Sequence, residues 1–424
     1  MAHTKVLTRF VDYEDQCIID AYESRGGYQS IRKVLGMSPD VVIEEVKSSG
    51  LRGRGGAGFL TGAKWSFVPR NCDKPVYLLC NADESEPGTF KDRMLLERDP
   101  HAVIEGIMIA SYALGVHWAC VYIRGEYAYA TEKLQKALLQ AYEREYLGHS
   151  AFNSGYKLDI IVHRGAGAYI CGEETGLINS LEGRPGKPRI KPPFPALVGL
   201  YGCPTVVNNA ETLCALVWIF QHGAHAYSAL GTEKSSGTKL ISASGHINNP
   251  GVYEIDLGYP VSDFIKNECG GVWKDRKLKA VITGGSSVPV LRAEEIEGVC
   301  FDYESLVAAG TMLGSGGFIV MDETTDMVRV CANLQHFYAH ESCGQCTPCR
   351  EGAGWVKKIM NRIDSNNGTT TDLLLLESIC EQIQGHTICP FGDALVTPVL
   401  SLMSKFGNEF EERIDASLAS NIGA

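Results

Sequence analysis

The sequence has no surplus of positive charge: its 39 Lys and Arg stand against 50 Asp and Glu, a net charge of −11 at pH 7. Binding to a phosphate backbone needs clustered cations, so a nucleic-acid partner is excluded. Low-complexity tracts and tandem repeats are also absent, and a content of 45% hydrophobic and 21% charged residues is that of an ordinary globular protein. The opening Met1-Ala2-His3-Thr4-Lys5-Val6 has neither an apolar leader nor an Arg/Ser-rich amphipathic one, so secretion and organelle import are not expected. Long apolar runs are scarce. The nearest, residues 106–123, is helix-like in its first half and strand-like in its second, with Leu114-Gly115 between them. It is expected as a buried αβ unit, not a membrane span.

What the chain does have is length and cysteine. Its 424 residues exceed the needs of a single ordinary core, so roughly two to four domains are expected. Up to about Gly50 the pattern is helical, through the region from Cys17 to Arg25, Ile31-Arg-Lys-Val-Leu35, and Pro39-Asp-Val-Val-Ile-Glu-Glu-Val-Lys47 with Ser38 as N-cap. From about Asn71 short apolar runs alternate with helix-like stretches: Val76-Tyr-Leu-Leu-Cys80, Trp118-Ala-Cys-Val-Tyr-Ile123 and Leu158-Asp-Ile-Ile-Val-His163. That alternation predicts an α/β fold with parallel crossover units. From Lys239 to Met321 short strands with Gly and Pro turns predict a smaller β-rich domain. After Cys331 two helical faces, Trp355/Ile359/Ile363 and Leu376/Ile379/Cys380/Ile383, predict a small bundle. The expected divisions are residues 1–70, 71–238, 239–330 and 331–424.

Fifteen cysteines without a leader are expected to be thiols, buried fillers or metal ligands. Cys343-Gly-Gln-Cys346-Thr-Pro-Cys349, followed far downstream by Cys389-Pro390, is the strongest chemical signal. Three thiols at this spacing and a distant fourth suit a cubane whose four irons each need one thiolate. Zinc, for which a third Cys at the same spacing is crowded, and purely structural thiols remain open as alternatives. Cys72, Cys80, Cys120, Cys214, Cys300 and Cys380 read as small buried hydrophobes.

Four loops could take a nucleotide. Gly53-Arg54-Gly55-Gly56-Ala57-Gly58-Phe59 matches G-x-G-x-x-G, but a helix-like segment precedes it where a Rossmann fingerprint needs a strand. Its backbone can still approach a flat or phosphorylated ligand, with Arg54 and Lys64 nearby, although a flexible surface loop would look similar. The acidic loop from Asn81 to Arg93 follows a strand, where carboxylates can accept from a ring N–H or sugar hydroxyls. A solvated acidic loop is the alternative. The stretch Gly165-Ala-Gly167-Ala-Tyr169-Ile-Cys171-Gly172-Glu173-Glu174-Thr175 has the order strand, glycine turn, helix. Finally, Asn208 and Asn209 are expected to cap a helix running through Phe220.

Together with Glu341-Ser-Cys-Gly-Gln-Cys-Thr-Pro-Cys-Arg350 and Cys389-Pro-Phe-Gly-Asp393, the segments from Gly53 to Trp65, Asn81 to Arg93 and Gly165 to Thr175 closely resemble the hallmark segments of the NADH-binding flavoprotein subunits of respiratory complex I. The resemblance runs from about Ser38 to Asp393; Leu60, where that family usually has Pro or a small residue, departs from it and is expected to be tolerated. The resemblance implies a Rossmann-like FMN domain, a ubiquitin-like β-grasp domain and a C-terminal helical bundle. It implies FMN contacts at Gly53, Gly55, Lys64, Asn81, Asp83, Ser85, Tyr169, Gly172, Glu173, Asn208, Asn209 and Thr212. NADH contacts would fall at Gly56, Ala57, Phe59, Phe67, Glu86, Glu174 and Phe194, with Glu174 favouring NADH over NADPH. One [4Fe-4S] cluster would sit on Cys343, Cys346, Cys349 and Cys389.

Hydride transfer would be centred on the cofactor, with Lys64 and Glu86 as the side chains nearest the chemistry. Implied partners are a thioredoxin-like [2Fe-2S] subunit and a large multi-cluster Fe–S subunit, with electrons passing on to quinone. The chain itself would have no membrane span. It would lie on the cytoplasmic side of a bacterial membrane, peripheral on the inner face through its complex. A diaphorase component of an NAD-linked hydrogenase or formate dehydrogenase is the alternative. A non-catalytic Fe–S scaffold is a third reading, disfavoured by the intact nucleotide loops.

Overall fold

The computed structural model describes residues 3–70 and 72–422, with side chains as far as residue 415. Met1, Ala2 and Asn71, on which the leader expectation and the second division begin, lie outside the described residues.

The first segment forms three short helices, Ile19–Ser24, Gln29–Val34 and Pro39–Ser48. Pro39 opens the third at a position where its missing N–H costs nothing, and Val42, Ile43 and Val46 form its buried stripe. Ser38 stands at the N-cap position, but its side chain caps nothing, contrary to expectation. Gly50, at φ +68°, turns the chain away from the helix end.

Four parallel strands follow: β1 (Tyr77–Ala82), β2 (Trp118–Ile123), β3 (Asp159–Arg164) and β4 (Thr205–Asn209), in the spatial order β3-β2-β1-β4. β4 adds to the three strands expected. Residues 207–209 look like a helix start in the sequence, and they are the carboxyl end of a strand that runs straight into the helix Ala210–His222. Strand alternation sends Leu78, Cys80 and Ala82 into one hydrophobic core and Leu79 into another, so the sheet is covered on both faces. Residues 106–123 are the end of the helix Pro100–Leu114, a turn at Gly115 and then β2. Gly106 lets that helix meet Ala210–His222 closely, since a Cβ there would lie 2.2 Å from the Leu213 carbonyl oxygen. Among the described residues no helix is long and apolar enough to cross a membrane.

The next region contains β5 (Thr238–Gly245), β6 (Gly251–Asp256), β7 (Tyr259–Pro260), β8 (Leu278–Ile282), β9 (Leu291–Arg292), β10 (Cys300–Phe301) and β11 (Gly317–Asp322). Five of them form a mixed sheet in the order β6-β5-β11-β8-β9, and β7 pairs with β10. Phe264, Phe301 and Phe318 pack edge to face at 5.2–5.5 Å in its core.

The helices Met327–Glu341, Thr347–Asp364, Thr370–Ile383 and Phe391–Ile422 complete the chain. Ile359, Ile363, Leu376, Cys380 and Ile383 are buried, and Ile379 is half-buried. Trp355 differs from expectation and is exposed, because each i+4 step rotates the helix and carries position 355 off the buried row. Cys80, Cys120, Cys214 and Cys380 are buried fillers, but Cys72 and Cys300 are only half-buried, since each sits in a loop or edge segment rather than between layers.

Candidate flavin cleft and cysteine corner

The loops after β1, β3 and β4 meet at the carboxyl ends of the parallel strands, where such sheets bind ligands. They line an open cleft of about 150 Å³ whose walls include Gly55, Asn81, Asp83, Ser85, Glu86, Tyr169, Gly172 and Asn209. A roomier hollow of about 690 Å³ lies at the opposite, amino ends of β1 and β2, beside Tyr77, His117 and Trp118. It gathers none of the four predicted loops, so chemistry and not size singles out the candidate cleft.

The glycine loop enters beside the helix Ala210–His222. Thr212 Oγ accepts from the Arg54 backbone N–H at 2.8 Å, and a Cβ on Gly55 would lie 3.1 Å from Asn209 Cβ. Thr212 therefore holds the loop and is not itself on the cleft wall. Asn209 caps the helix by accepting from Glu211 N at 3.0 Å. Asn208 does not cap it, because its side-chain oxygen accepts from the Trp65 indole at 2.9 Å instead. Glu173 caps the helix Glu174–Leu181 through the backbone N–H groups of Thr175 and Gly176.

Two polar atoms in the cleft, Asp83 Oδ2 and Ser85 Oγ, are buried without a partner. An unpaired buried polar atom costs roughly 1–3 kcal/mol, so both are suited to a ligand's donors and acceptors. Burial pushes the Asp83 carboxyl up to about 7, against the opposing pull of Arg124. Gly53 and Lys64 stand back from the wall: Lys64 Nζ donates to the Val207 carbonyl at 2.9 Å and pairs with Glu174 at 3.3 Å. Glu174 also meets Lys191 at 2.8 Å. Burial alone would raise Glu174, but the two lysines outweigh it and hold it below the usual carboxylate range. Phe59 and Phe67 lie 6.1 Å apart and both are exposed, as are Ala57 and Phe194, with Gly56 half-buried, and none of these five lines the cleft wall.

Beneath the cleft lies a charge cluster that the sequence reading missed. Lys91, which lines the cleft, pairs with Asp92 at 2.7 Å and with Glu211 at 2.8 Å, and Lys239 pairs with Glu211 at 2.6 Å. All four side chains are buried. Burial would lower Lys91, yet Asp92 and Glu211 overcome it and keep it charged, whereas burial brings Lys239 down to about 7. Glu84, also on the wall, accepts from Asp92 N at 2.8 Å, Arg93 N at 3.0 Å and Tyr127 at 2.9 Å, and burial raises it to about 7. No local pattern could reveal these pairs, since Glu211 and Lys239 come from different regions.

Across Tyr169 lies the cysteine corner. The Tyr169 ring packs edge-on against Phe391 at 5.8 Å, two residues beyond Cys389. Cys346 is the N-cap of Thr347–Asp364, so Cys343, Cys346 and Cys349 surround one helix start, while Cys389 lies in the loop between Thr370–Ile383 and Phe391–Ile422. Burial pushes the Cys389 thiol up to about 12 and Cys349 to about 11; Cys343 and Cys349 act on the first, Cys346 and Cys343 on the second. The four thiols thus lie in one neighbourhood. Among the described residues no group of three or more His, Cys, Asp or Glu side chains is arranged to hold a metal ion.

A nucleotide cleft and a four-thiol corner on one α/β chain define an iron–sulfur flavoprotein. Residues 46–218 match the family described as the Nuo51 FMN-binding domain, 239–330 an SLBB domain, and 329–413 the NADH-ubiquinone oxidoreductase-F iron-sulfur binding region. The chain is 48% identical to the F 2 subunit of the NADH-quinone oxidoreductase of Rhizobium meliloti (strain 1021) over 411 residues, 97% of each. It is also 48% identical to the corresponding F subunit of Rickettsia typhi over 414 residues, 95% of this chain and 98% of that one. Among solved structures it resembles an NAD+-reducing [NiFe]-hydrogenase in the H2-reduced state, with TM-score 0.86 and 35% identity over 99% of this chain and 70% of that one. The chain belongs to the family of NADH-quinone oxidoreductase F subunits. It is an NADH dehydrogenase flavoprotein that carries FMN and one [4Fe-4S] cluster.

Proposed function

We propose that the cleft at the carboxyl ends of β1, β3 and β4 holds FMN and that NADH enters over its exposed aromatic rim. The observation that carries this reading is the pair of buried, unpartnered atoms, Asp83 Oδ2 and Ser85 Oγ, in a cleft that also exposes Asn81, Tyr169 and Asn209. Gly53, Gly55 and Gly172 let backbone approach the flavin, while Asn208, Thr212 and Glu173 hold the loops that surround it. Lys64 places positive charge near the ring. Phe59, Phe67 and Phe194 offer faces to the adenine, Gly56 and Ala57 leave room beside it, and Glu86 and Glu174 accept from sugar or amide donors. Glu174, held ionised by Lys64 and Lys191, repels a 2′-phosphate and so favours NADH.

When bound, FMN takes a hydride from NADH and the cluster takes electrons one at a time. Cys343, Cys346, Cys349 and Cys389 hold the cluster, and the Tyr169 ring, on the cleft wall, packs against Phe391 beside Cys389. Residues 1–70, 71–238, 239–330 and 331–424 serve as helical entry, nucleotide domain, β-grasp domain and cluster domain. The partners are a thioredoxin-like [2Fe-2S] subunit and a large multi-cluster Fe–S subunit, on the inner face of a bacterial membrane. A diaphorase role in an NAD-linked hydrogenase is the second reading, favoured by the hydrogenase likeness at 35% identity. The 48% identity to the Rhizobium meliloti F 2 subunit over nearly the full length outweighs it.

The test is an anaerobic absorbance spectrum of the purified protein before and after NADH, with FMN and iron quantified. Bleaching of a flavin band over broad Fe–S absorption, with about one FMN and four irons per chain, is expected. A cleft variant such as Asp83→Ala that keeps full FMN would refute the placement.

A further inference from the structure

Glu86 lies on the cleft wall, yet its orientation is set from outside the nucleotide domain. Its Oε2 accepts from Tyr169 at 2.6 Å, while Oε1 accepts from Ser287 N at 2.9 Å and from Ser286 Oγ at 3.3 Å. An ionised carboxylate can only accept, so the Ser286 hydroxyl donates to it. The Tyr338 hydroxyl, 2.8 Å away, must then donate to Ser286. The result is a directed chain, Tyr338 to Ser286 to Glu86, that begins in the helix Met327–Glu341, which leads into Cys343, and passes through the β-grasp region. Ser286 and Tyr338 are fully buried, so water does not substitute for either link. The loop that carries Ser286 also lies against the stem of Glu86. Gly285 stands at φ +97°, and a Cβ there would fall 2.4 Å from Glu86 Cγ, so that position excludes any side chain.

A carboxylate offers about four acceptor sites, and three on Glu86 are occupied, which leaves one for a ligand. We propose that Ser286 and Tyr338 are positioning residues for NADH, holding Glu86 so that its remaining acceptor site meets a single hydroxyl or amide donor of the substrate. The β-grasp and cluster regions thereby take part in substrate binding without touching the substrate. This rests on the reading of Glu86 as an NADH contact.

The test uses steady-state kinetics of the assembled enzyme carrying Ser286→Ala, Tyr338→Phe, both together, or Glu86→Gln, with FMN and iron measured in each. Ser286→Ala is expected to raise KM for NADH about five-fold, as losing one hydrogen bond of about 1 kcal/mol does, with kcat within about two-fold and cofactors retained. Tyr338→Phe removes one oxygen and moves KM the same way by a smaller factor. The double variant is no worse than Ser286→Ala alone, because Tyr338 acts through Ser286. If Glu86→Gln raises KM while neither Ser286→Ala nor Tyr338→Phe does, the positioning chain is wrong and the NADH contact stands. If Glu86→Gln leaves KM unchanged, the contact itself is wrong. Loss of FMN or iron in both Ser286→Ala and Tyr338→Phe would assign the chain to packing and overturn the proposal.

Discussion

The flavin cleft and the cysteine corner lie on either side of Tyr169 and are built in opposite ways. The cleft rests on groups already paired with one another: Lys91, Asp92, Glu211 and Lys239 neutralise each other in the interior. The corner has no such internal compensation. Burial pushes Cys349 to about 11 and Cys389 to about 12, so these two thiols stay protonated until a cation offsets the thiolate charge. Protein charges thus shape the first site before a ligand arrives, whereas the second would take its charge balance from the cluster it is proposed to hold.

The largest effect expected to test this contrast comes from Cys389→Ser. Iron should fall from about four per chain to near zero, with FMN retained, in parallel iron and flavin assays. Joint loss of flavin would show that the cleft is not independent of the corner. Next, Glu211→Gln leaves Lys91 and Lys239 without their shared carboxylate. Denaturant unfolding should then show a loss of about 3–5 kcal/mol, because removing one partner strands buried charge. A loss below about 1 kcal/mol would mean the buried cluster is not what organises the cleft.

A smaller effect is expected at Asp83. Its folded-state value is raised to about 7 from an ordinary 3.8, so the folded protein holds the proton more tightly than the unfolded chain. Its contribution to stability is fully present below about pH 4 and is lost as pH rises through about 7. Flavin-free Asp83→Asn should therefore exceed the parent protein in stability by about 1–3 kcal/mol at pH 8, a gap that closes towards pH 4 in paired thermal melts. A constant difference at both pH values would rule out titration as the cause. The smallest effect is expected for Trp355→Ala in the cluster region, where the ring is exposed. Its unfolding free energy should stay within about 0.5 kcal/mol, and a larger drop would mean that the bundle buries this face.

Much of this was legible in the chain. The alternation of Val76-Tyr-Leu-Leu-Cys80 and Trp118-Ala-Cys-Val-Tyr-Ile123 with helical stretches marks a parallel sheet, because strands buried on both faces must be nearly continuous apolar runs. Cys343, Cys346 and Cys349 with the distant Cys389 suit a cluster by spacing, and the family resemblance decides between that and zinc. β4 was hidden because its carboxyl end, Asn208-Asn209, carries the same residues a helix cap would, and only Asn209 acts as one. Lys91 with Glu211 and Lys239 was hidden for another reason: three charged residues far apart in sequence show no periodicity before the fold brings them together.

The sequence by itself determined most of the elements and marked the Cys343-to-Cys349 motif and the loops proposed to bear the chemistry, since each depends on residues close together along the chain. Hydrophobic period, turn glycines and ligand spacing are local properties. Only the tertiary structure decided which carboxylates are paired and which are left open. Glu211 is neutralised by two lysines, Glu86 is turned by Ser286 and Tyr338, and Asp83 keeps an unpartnered oxygen in the cleft. Burial and long-range pairing set those differences, and neither exists until the β-grasp and cluster regions have closed against the nucleotide fold.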